Sequence, residues 1–111
     1  MINIEKKDKI DIISFNIKKI DAMITDEIKD RISKVFENAN SKAIIDLKGV
    51  EYIDSSGFGC FLSVFRIAKN NYGSLKFANP EPRIMELFNI LHLHLILQIY
   101  DNLDECLRSY R

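Results

Sequence analysis

The chain has 111 residues, 47% of them hydrophobic, and its sixteen basic and sixteen acidic side chains cancel to a formal net charge of zero. This length predicts one domain, residues 1–111, with a core large enough to need no disulfides. The lack of net charge argues against nucleic-acid binding and against attraction to an anionic membrane. No segment approaches the roughly 20 apolar residues of a membrane span, and the N-terminus does not resemble a signal peptide. We therefore expect a cytoplasmic protein without direct membrane insertion.

The first half of the chain alternates between strand-like and helix-like patterns. Ile2 to Lys6 and Ile10 to Asn16 are rich in isoleucine and phenylalanine and are separated by a polar tripeptide, which is typical of a β-hairpin. From Ala22 to Asn38 the apolar residues recur at helical spacing on one stripe, which predicts an amphipathic helix. Ala43 to Leu47 is too apolar for a strand with one face in water, so we predict a central strand.

The second half continues the alternation. It predicts a helix that includes Cys60 to Ala68, a strand from Ser74 to Ala78, a helix from Arg83 to Leu91 and a strand from Leu95 to Tyr100. Asp101 is the expected N-cap of an amphipathic tail. The tail residues expected to lie over the sheet are Leu103, Cys106, Leu107 and Tyr110. The fold class is thus α/β, with a mixed central sheet of about five strands and about four helices packed on it.

Between the predicted central strand and the following helix stands Asp54-Ser55-Ser56-Gly57-Phe58-Gly59. Serine and aspartate side chains accept hydrogen bonds from the unpaired amides of a first helical turn. We expect Ser56 to be the better cap of the two serines, while Asp54 either caps the helix or orients the Ser55 hydroxyl. Gly57 and Gly59 keep the backbone bare beside these hydroxyls, which leaves at least one serine accessible to another protein. We interpret the motif as a phosphorylation switch, and a plain helix cap is the alternative.

The helix after the motif has more apolar residues than one face can bury. Phe58, Phe61, Leu62, Phe65 and Ala68 form one stripe, and Cys60, Val64 and Ile67 form a second stripe beside it. One interpretation is a helix buried on two sides. The other is that the second stripe contacts a partner next to Ser55. The residues predicted to contact a partner are Phe58, Gly59, Cys60, Val64 and Ile67.

Other kinds of site have little support in the sequence. Cys60 and Cys106 lack CxxC spacing, so we predict buried thiols in a reducing compartment. His92 and His94 are separated by one residue, but no cysteine or carboxylate cluster accompanies them, so we predict no metal and no cofactor. Ser55 is not in a GxSxG motif and nothing places a histidine near it. We therefore predict a binding protein rather than an enzyme, either a monomer or a weak dimer.

Residues 46–59 resemble the signature of STAS domains of the bacterial anti-sigma factor antagonists, and weaker similarity covers residues 77–80, 87–93 and 99–101. The resemblance implies that Ser55 is phosphorylated by an anti-sigma factor that is a serine kinase. It also implies that the unphosphorylated form binds this kinase and frees the sigma factor, and that a metal-dependent serine phosphatase reverses the modification. Where many members have Gly-x-Leu-Asp, this chain has Lys18-Lys19-Ile20-Asp21, so the aspartate is retained and the glycine is replaced.

The phosphate is expected to alter the surface of the domain rather than its fold. The amides of Ser56, Gly57 and Phe58 and the positive end of the helix would hold it, while Asp54 and Asp21 would add negative charge beside it. The alternative function is a non-switching scaffold or regulatory subunit of the same fold. STAS-like modules of that kind serve in stress-signalling assemblies, in type III secretion regulation and as cytoplasmic subunits of lipid or anion transporters.

Overall fold

A computed structural model describes all 111 residues of the chain. The strands are β1 (Ile2–Lys7), β2 (Ile10–Phe15), β3 (Lys19–Ile20), β4 (Lys42–Asp46), β5 (Tyr52–Ile53), β6 (Ser74–Ala78) and β7 (Ile99–Tyr100). The helices are α1 (Thr25–Val35), α2 (Ser55–Asn70), α3 (Pro82–Ile90) and α4 (Leu103–Arg108), with a single 3₁₀ turn at Leu93–Leu95.

Five strands form the main sheet in the order β1-β2-β4-β6-β7. β1 and β2 are an antiparallel hairpin, and every other pair in this sheet is parallel. β3 and β5 form a separate two-stranded parallel ribbon. The predicted α/β fold with a mixed five-stranded sheet and four helices is therefore confirmed, and so is the central position of β4.

The two faces of the sheet are covered unequally. In β4, Ala43 and Ile45 belong to the larger core of 24 buried residues, which α1, α2 and α3 cover. Ile44 points the other way, into a smaller core of five buried residues that includes Cys106 and Leu107 of α4. This alternation follows from the pleat of a strand buried on both faces. It confirms that the C-terminal tail lies over the sheet.

Four aromatic rings fix α2 within the larger core. Phe58 in its first turn lies 6.4 Å from Phe61 and 5.3 Å from Phe88 of α3, measured between ring centroids. Phe77 of β6 is 5.2 Å from Phe61 and 6.0 Å from Phe88. Such edge-to-face and tilted pairs each add about 0.5–1.5 kcal/mol beyond the burial of their area. The start of α2 is thus held firmly against both the sheet and α3.

Helix α1 is shorter than the predicted span of residues 22–38. Its start is delayed because the Asp21 carboxylate accepts a hydrogen bond from the Met23 amide at 3.0 Å. The Asp21 carbonyl accepts bonds from Ile24 and Thr25, which closes a turn before the helix. The helical periodicity of the sequence includes this turn, so the pattern does not reveal where the regular helix begins.

The predicted last strand, residues 95–100, is wrong for most of its length. Only Ile99 and Tyr100 pair with β6, and Leu93–Leu95 form the 3₁₀ turn. Leu93 and Leu97 are buried at a spacing of four residues, while the apolar residues between them are exposed, which is the pattern of a turn. The N-cap of α4 is Asn102 rather than Asp101, since its side chain accepts from the Glu105 amide at 2.8 Å.

The C-terminal segment is tied to the open face of the sheet by polar contacts. The Tyr110 hydroxyl lies 3.0 Å from the Ala43 carbonyl and 3.0 Å from the Ser74 hydroxyl, and burial raises the pKa of this phenol. Lys76, a charged residue that is only 8% exposed, donates to the Ser109 hydroxyl at 2.8 Å and lies over the Tyr110 ring. These bonds compensate the cost of burying an ammonium group.

Both cysteines are buried and unpaired, as predicted. Burial raises the pKa of Cys60 from 9.0 to about 11, and that of Cys106 from 9.0 to about 12. The unfolded chain therefore releases these protons at lower pH than the folded chain does. Stability from the neutral thiols is fully present below pH 9 and is lost as pH rises through 11 and 12.

We expect the free energy of unfolding in urea to be lower at pH 10 than at pH 8, in reducing buffer. Cys106→Ala should lower stability at pH 8 because it leaves a cavity, yet it should flatten the decrease toward pH 10. The control is Ser63→Ala, which removes no titrating group and should keep the wild-type slope. An unchanged slope in Cys106→Ala would contradict the burial of a neutral thiol.

Candidate phosphorylation site at the start of helix α2

Asp54 is the N-cap of α2, and Ser55 is the first helical residue. The Asp54 carboxylate accepts a hydrogen bond from the Gly57 amide at 3.0 Å, and its carbonyl accepts from the Phe58 amide at 3.1 Å. Asp54 therefore has the capping role, one of the two roles expected of it, and the expected cap by Ser56 is not formed. The Ser55 side chain is exposed, while Ser56 is half-buried. The cap thus forms without the Ser55 hydroxyl.

The β3–β5 ribbon places Asp21 beside this cap. Ile20 pairs with Ile53, and the Ile20 carbonyl accepts a hydrogen bond from the Asp54 amide at 3.2 Å. One residue later, the half-buried Asp21 begins the turn into α1. The chain segments that contain the two aspartates, which are distant in sequence, are therefore adjacent in the fold.

Lys18 immediately precedes β3, at the position where the family resemblance leads us to expect glycine. Its carbonyl accepts from the Glu51 amide at 2.8 Å and from the Tyr52 amide at 3.0 Å. Its ammonium lies 4.0 Å from the Glu51 carboxylate, with both side chains exposed. An exposed pair of this kind adds little stability. The lysine side chain is therefore a surface feature, and the backbone of the ribbon tolerates it.

Gly57 is required by the close approach of α2 to the ribbon. A Cβ at this position would lie 2.5 Å from Cγ2 of Ile53 and 3.1 Å from the Ile20 carbonyl oxygen. Real Cβ atoms do not approach other atoms so closely, so any larger residue would push the helix away. The glycine thus sets the position of the cap and of Ser55.

No close contact of this kind requires a glycine at position 59. Gly59 is exposed, and a Cβ built there would have no neighbour within 4 Å. Glycine inside a helix costs roughly 0.5–1 kcal/mol relative to alanine, so this residue lowers stability without improving the core. It lies four residues after Ser55 and therefore on the same helical face. The result is bare backbone on the surface, one turn from the exposed serine.

Fewer amides are available to a phosphate than the sequence suggests. The Gly57 and Phe58 amides, which we expected to hold it, already donate to the side chain and carbonyl of Asp54. The Ser55 and Ser56 amides precede the first intrahelical hydrogen bond and so remain for an added group. The first turn of α2 itself has no acidic residue, so within this helix only the N-cap, Asp54, places a carboxylate at the positive end of the dipole.

The second apolar stripe of α2 is core rather than interface. Phe58, Cys60 and Val64 are at most 7% exposed, and the Cys60 thiol donates to the Thr25 carbonyl of α1 at 3.5 Å. Direct partner contact by these three side chains is therefore a wrong prediction, because all three are buried in the core, Cys60 against α1 and Phe58 of the first stripe against Phe88 of α3. Ile67 is half-buried against the same core. Gly59 is the one predicted contact residue that lies openly on the surface.

Two exposed apolar residues near the site were missed by the sequence analysis. Met23, in the turn after β3, is 93% exposed, and Tyr52, in β5, is 51% exposed. Tyr52 precedes the cap residue Asp54 by two positions, and Met23 follows Asp21 by two positions in the turn after β3. Each strand of the β3–β5 ribbon has only two residues, too few for alternation to be recognised. The sequence contains one signal of this exposed apolar surface, because Met23 is apolar but does not belong to the buried stripe of α1.

The structure contains no group of three or more histidine, cysteine, aspartate or glutamate side chains placed to hold a metal. His92 and His94 are exposed, and their ring centroids are 6.3 Å apart. None of the helices has both the length and the apolar character that crossing a bilayer requires.

Comparison with known proteins places this geometry in a family. Residues 1–106 match the model of the STAS domain. The anti-sigma-B factor antagonist of Bacillus subtilis (strain 168) is 33% identical over 99 residues, which cover 88% of this chain and 90% of that protein. An anti-sigma F factor antagonist of Paenibacillus polymyxa is 24% identical over 85 residues, 76% of this chain and 73% of that protein.

Solved structures share the fold. An anti-sigma-factor antagonist (STAS) domain protein from Planctomyces limnophilus superposes with a TM-score of 0.88 at 20% identity, over 97% of this chain and 96% of that one. Unphosphorylated SpoIIAA, an anti-sigma factor antagonist, gives 0.82 at 21% identity over 100% and 96% of the two chains. Phosphorylated Bacillus SpoIIAA, a cell fate determinant, gives 0.74 at 19% identity over the full length of both. The family model covers nearly the whole chain, and the Bacillus subtilis relative is a regulatory binding protein rather than an enzyme. The chain therefore belongs to the STAS family and, within it, to the anti-sigma factor antagonists.

Proposed function

We propose that this protein is a phosphorylation-controlled anti-sigma factor antagonist. In its unphosphorylated form it binds an anti-sigma factor that is a serine kinase, and the sigma factor is released. Phosphorylation of Ser55 ends this binding, and a metal-dependent serine phosphatase restores it. The observation that supports the proposal best is the placement of Ser55. Its side chain is exposed at the first position of a helix whose cap and core contacts are made by other residues.

The phosphate would change the local charge strongly. It adds about −1.5 to −2 charges and three strong acceptors beside Asp54, with Asp21 on the adjoining turn. The Ser55 and Ser56 amides and the helix dipole offset part of this charge, so the modified site can persist without unfolding. A partner surface that fits the bare hydroxyl would lose about 3 kcal/mol against the dianion, which lowers affinity by roughly a hundredfold.

The fold is expected to stay the same after modification. Asp54 caps α2 through Gly57 and Phe58, and neither bond uses the Ser55 hydroxyl. SpoIIAA supports this expectation by analogy, since both its phosphorylated and its unphosphorylated forms resemble this chain in fold. The switch would therefore act through the surface and not through a rearranged core.

Gly59 supplies the second element of the proposal. A kinase must bring its own backbone and the nucleotide close to the Ser55 oxygen, and a partner must cover the same area. Bare backbone one turn away permits this approach, because any side chain at that position would project from the surface. Exposed Met23 and Tyr52 add apolar area around it for a partner to bury.

The proposal is tested by incubating the protein with its cognate anti-sigma factor and Mg-ATP, and by mapping phosphate with mass spectrometry. We expect one phosphate, on Ser55. Ser55→Ala should abolish the modification. The matched control is Ser56→Ala, which changes a half-buried serine and keeps the exposed Ser55 as the acceptor, so it should be phosphorylated normally.

Phosphate on Ser56 instead of Ser55 would contradict the proposed site. Stable binding of the anti-sigma factor with no phosphorylation of either serine would favour a non-switching scaffold. The phosphatase step is checked by adding a metal-dependent serine phosphatase to the modified protein, where we expect loss of 80 Da only when the metal is present.

A further inference from the structure

An apolar groove lies along the C-terminal half of α2, away from Ser55 at the start of the helix. Its floor consists of Leu62 and Phe65 of α2 and Ile96 of the segment after the 3₁₀ turn, and it encloses about 370 Å³. A second depression of about 160 Å³ shares Phe65, Lys69 and Ile96 and extends the groove toward the start of β6. Ile96 is 55% exposed, so its side chain is accessible at the edge of the groove.

The segment that forms one wall of the groove is rich in exposed apolar side chains. Eight large apolar residues of the chain are exposed, and four of them fall within seven consecutive positions: Ile90, Leu91, Leu95 and Ile96. Single exposed apolar residues are ordinary on a protein surface, but a cluster beside a groove is typical of an interaction site. Leu95 and Ile96 also make this stretch resemble a strand in the sequence, although neither is buried in the core.

The rim of the groove is positively charged. Arg66 and Lys69 line it, and no carboxylate does. The Lys69 ammonium lies over the Phe65 ring, 5.5 Å from its centroid, so it is held above the apolar floor. The three ion pairs of the structure involve other residues, which leaves both cations without an anionic partner. A matching surface would therefore combine apolar side chains with carboxylates.

We propose that this groove binds an acidic amphipathic segment of a partner protein. Apolar side chains of the segment would enter between Phe65 and Ile96, and its carboxylates would pair with Arg66 and Lys69, as in helix-in-groove recognition. A second copy of this chain is a poorer occupant. A two-fold axis through the groove would bring the cations of both copies together, where like charges repel.

The groove is separate from the proposed phosphorylation site. At 1.5 Å per residue, Phe65 lies about 15 Å and Lys69 about 21 Å along the helix from Ser55. A phosphate on Ser55 is thus beyond the screening length of the groove cations at physiological salt. The groove would hold its partner in both states of the switch, so this proposal does not depend on the proposed function.

The test uses a fluorescent peptide of about 14 residues with leucine at positions i, i+3, i+4 and i+7 and glutamate at most others, measured by anisotropy at physiological salt. A second peptide has lysine in place of each glutamate. We expect the acidic peptide to bind at least about tenfold more tightly than the basic one. Ile96→Glu should weaken binding of the acidic peptide at least tenfold, because it adds a charge to the groove floor.

Met23→Glu is the matched control, because Met23 is 93% exposed and neither lines the groove nor belongs to the apolar cluster beside it. It should bind like the wild type, and so should Ser55→Asp. Three results would overturn the proposal: equal binding of both peptides, equal effects of the two glutamate variants, or a dimer in sedimentation that Ile96→Glu dissociates. Binding to phosphatidylglycerol vesicles without binding to the acidic peptide would also overturn it and assign the groove to a lipid surface.

Discussion

Ser55→Asp is expected to lower the affinity for the anti-sigma factor at least about tenfold while leaving the melting temperature almost unchanged. One carboxylate carries about half the charge of a phosphate, so the loss should be smaller than the hundredfold expected for the phosphoprotein. The fold should tolerate the change because Ser55 is exposed and because Asp54, not Ser55, caps the helix. Calorimetric titration and thermal unfolding measure the two quantities on the same preparation.

Ser55→Ala is the control for this variant. It removes the hydroxyl without adding charge, so it should keep most of the affinity and resist the kinase. A Ser55→Asp protein that unfolds several degrees earlier than Ser55→Ala would contradict the surface account, since the charge would then disturb the fold itself. Equal affinity of both variants would remove the electrostatic basis of the switch.

The two glycines of the motif are expected to respond in opposite ways to the same substitution. Gly57→Ala should lower the free energy of unfolding by about 1–3 kcal/mol, because its Cβ would collide with Ile53 and with the Ile20 carbonyl. Gly59→Ala should raise it by about 0.5–1 kcal/mol, because alanine favours the helix and the added methyl meets no other atom. Urea unfolding of the three proteins measures both changes.

Binding separates the two glycines further. Gly59→Ala should weaken the anti-sigma factor complex although the variant is more stable, because the methyl group occupies the surface that the partner approaches. Such a stable but weakly binding variant would be the clearest sign that Gly59 serves function. If Gly59→Ala binds as tightly as the wild type, partner contact at this position is wrong.

Much of the fold could be predicted from the sequence because the main elements are long enough to show a period. The apolar run of β4 and the stripe of α1 each indicate both the element and its buried face. The ends of elements were predicted less well. Asp21 closes a turn over residues 22–24, which the helical pattern of the sequence includes, and residues 95–97 are apolar although they pair with no strand.

The candidate site was predicted in part. The motif identifies Ser55 and Asp54, since the residue types themselves favour a helix start. Which residue caps depends on backbone geometry at the junction, and that geometry comes from the two-residue ribbon of Ile20 and Ile53, too short to detect in the sequence. The burial of Cys60 and Val64 depends on how α1 lies against α2, which no local pattern specifies.

The central property of this protein is that a phosphate on Ser55 is expected to change the surface and to leave the fold intact. Protein with phosphoserine incorporated at position 55 can be compared with the unmodified chain by amide NMR spectra and by titration with the anti-sigma factor. We expect shifts confined to the start of α2 and to the adjoining β3–β5 ribbon, together with an affinity roughly a hundredfold lower. Shifts throughout the core, or unchanged affinity of the phosphorylated protein, would contradict the claim.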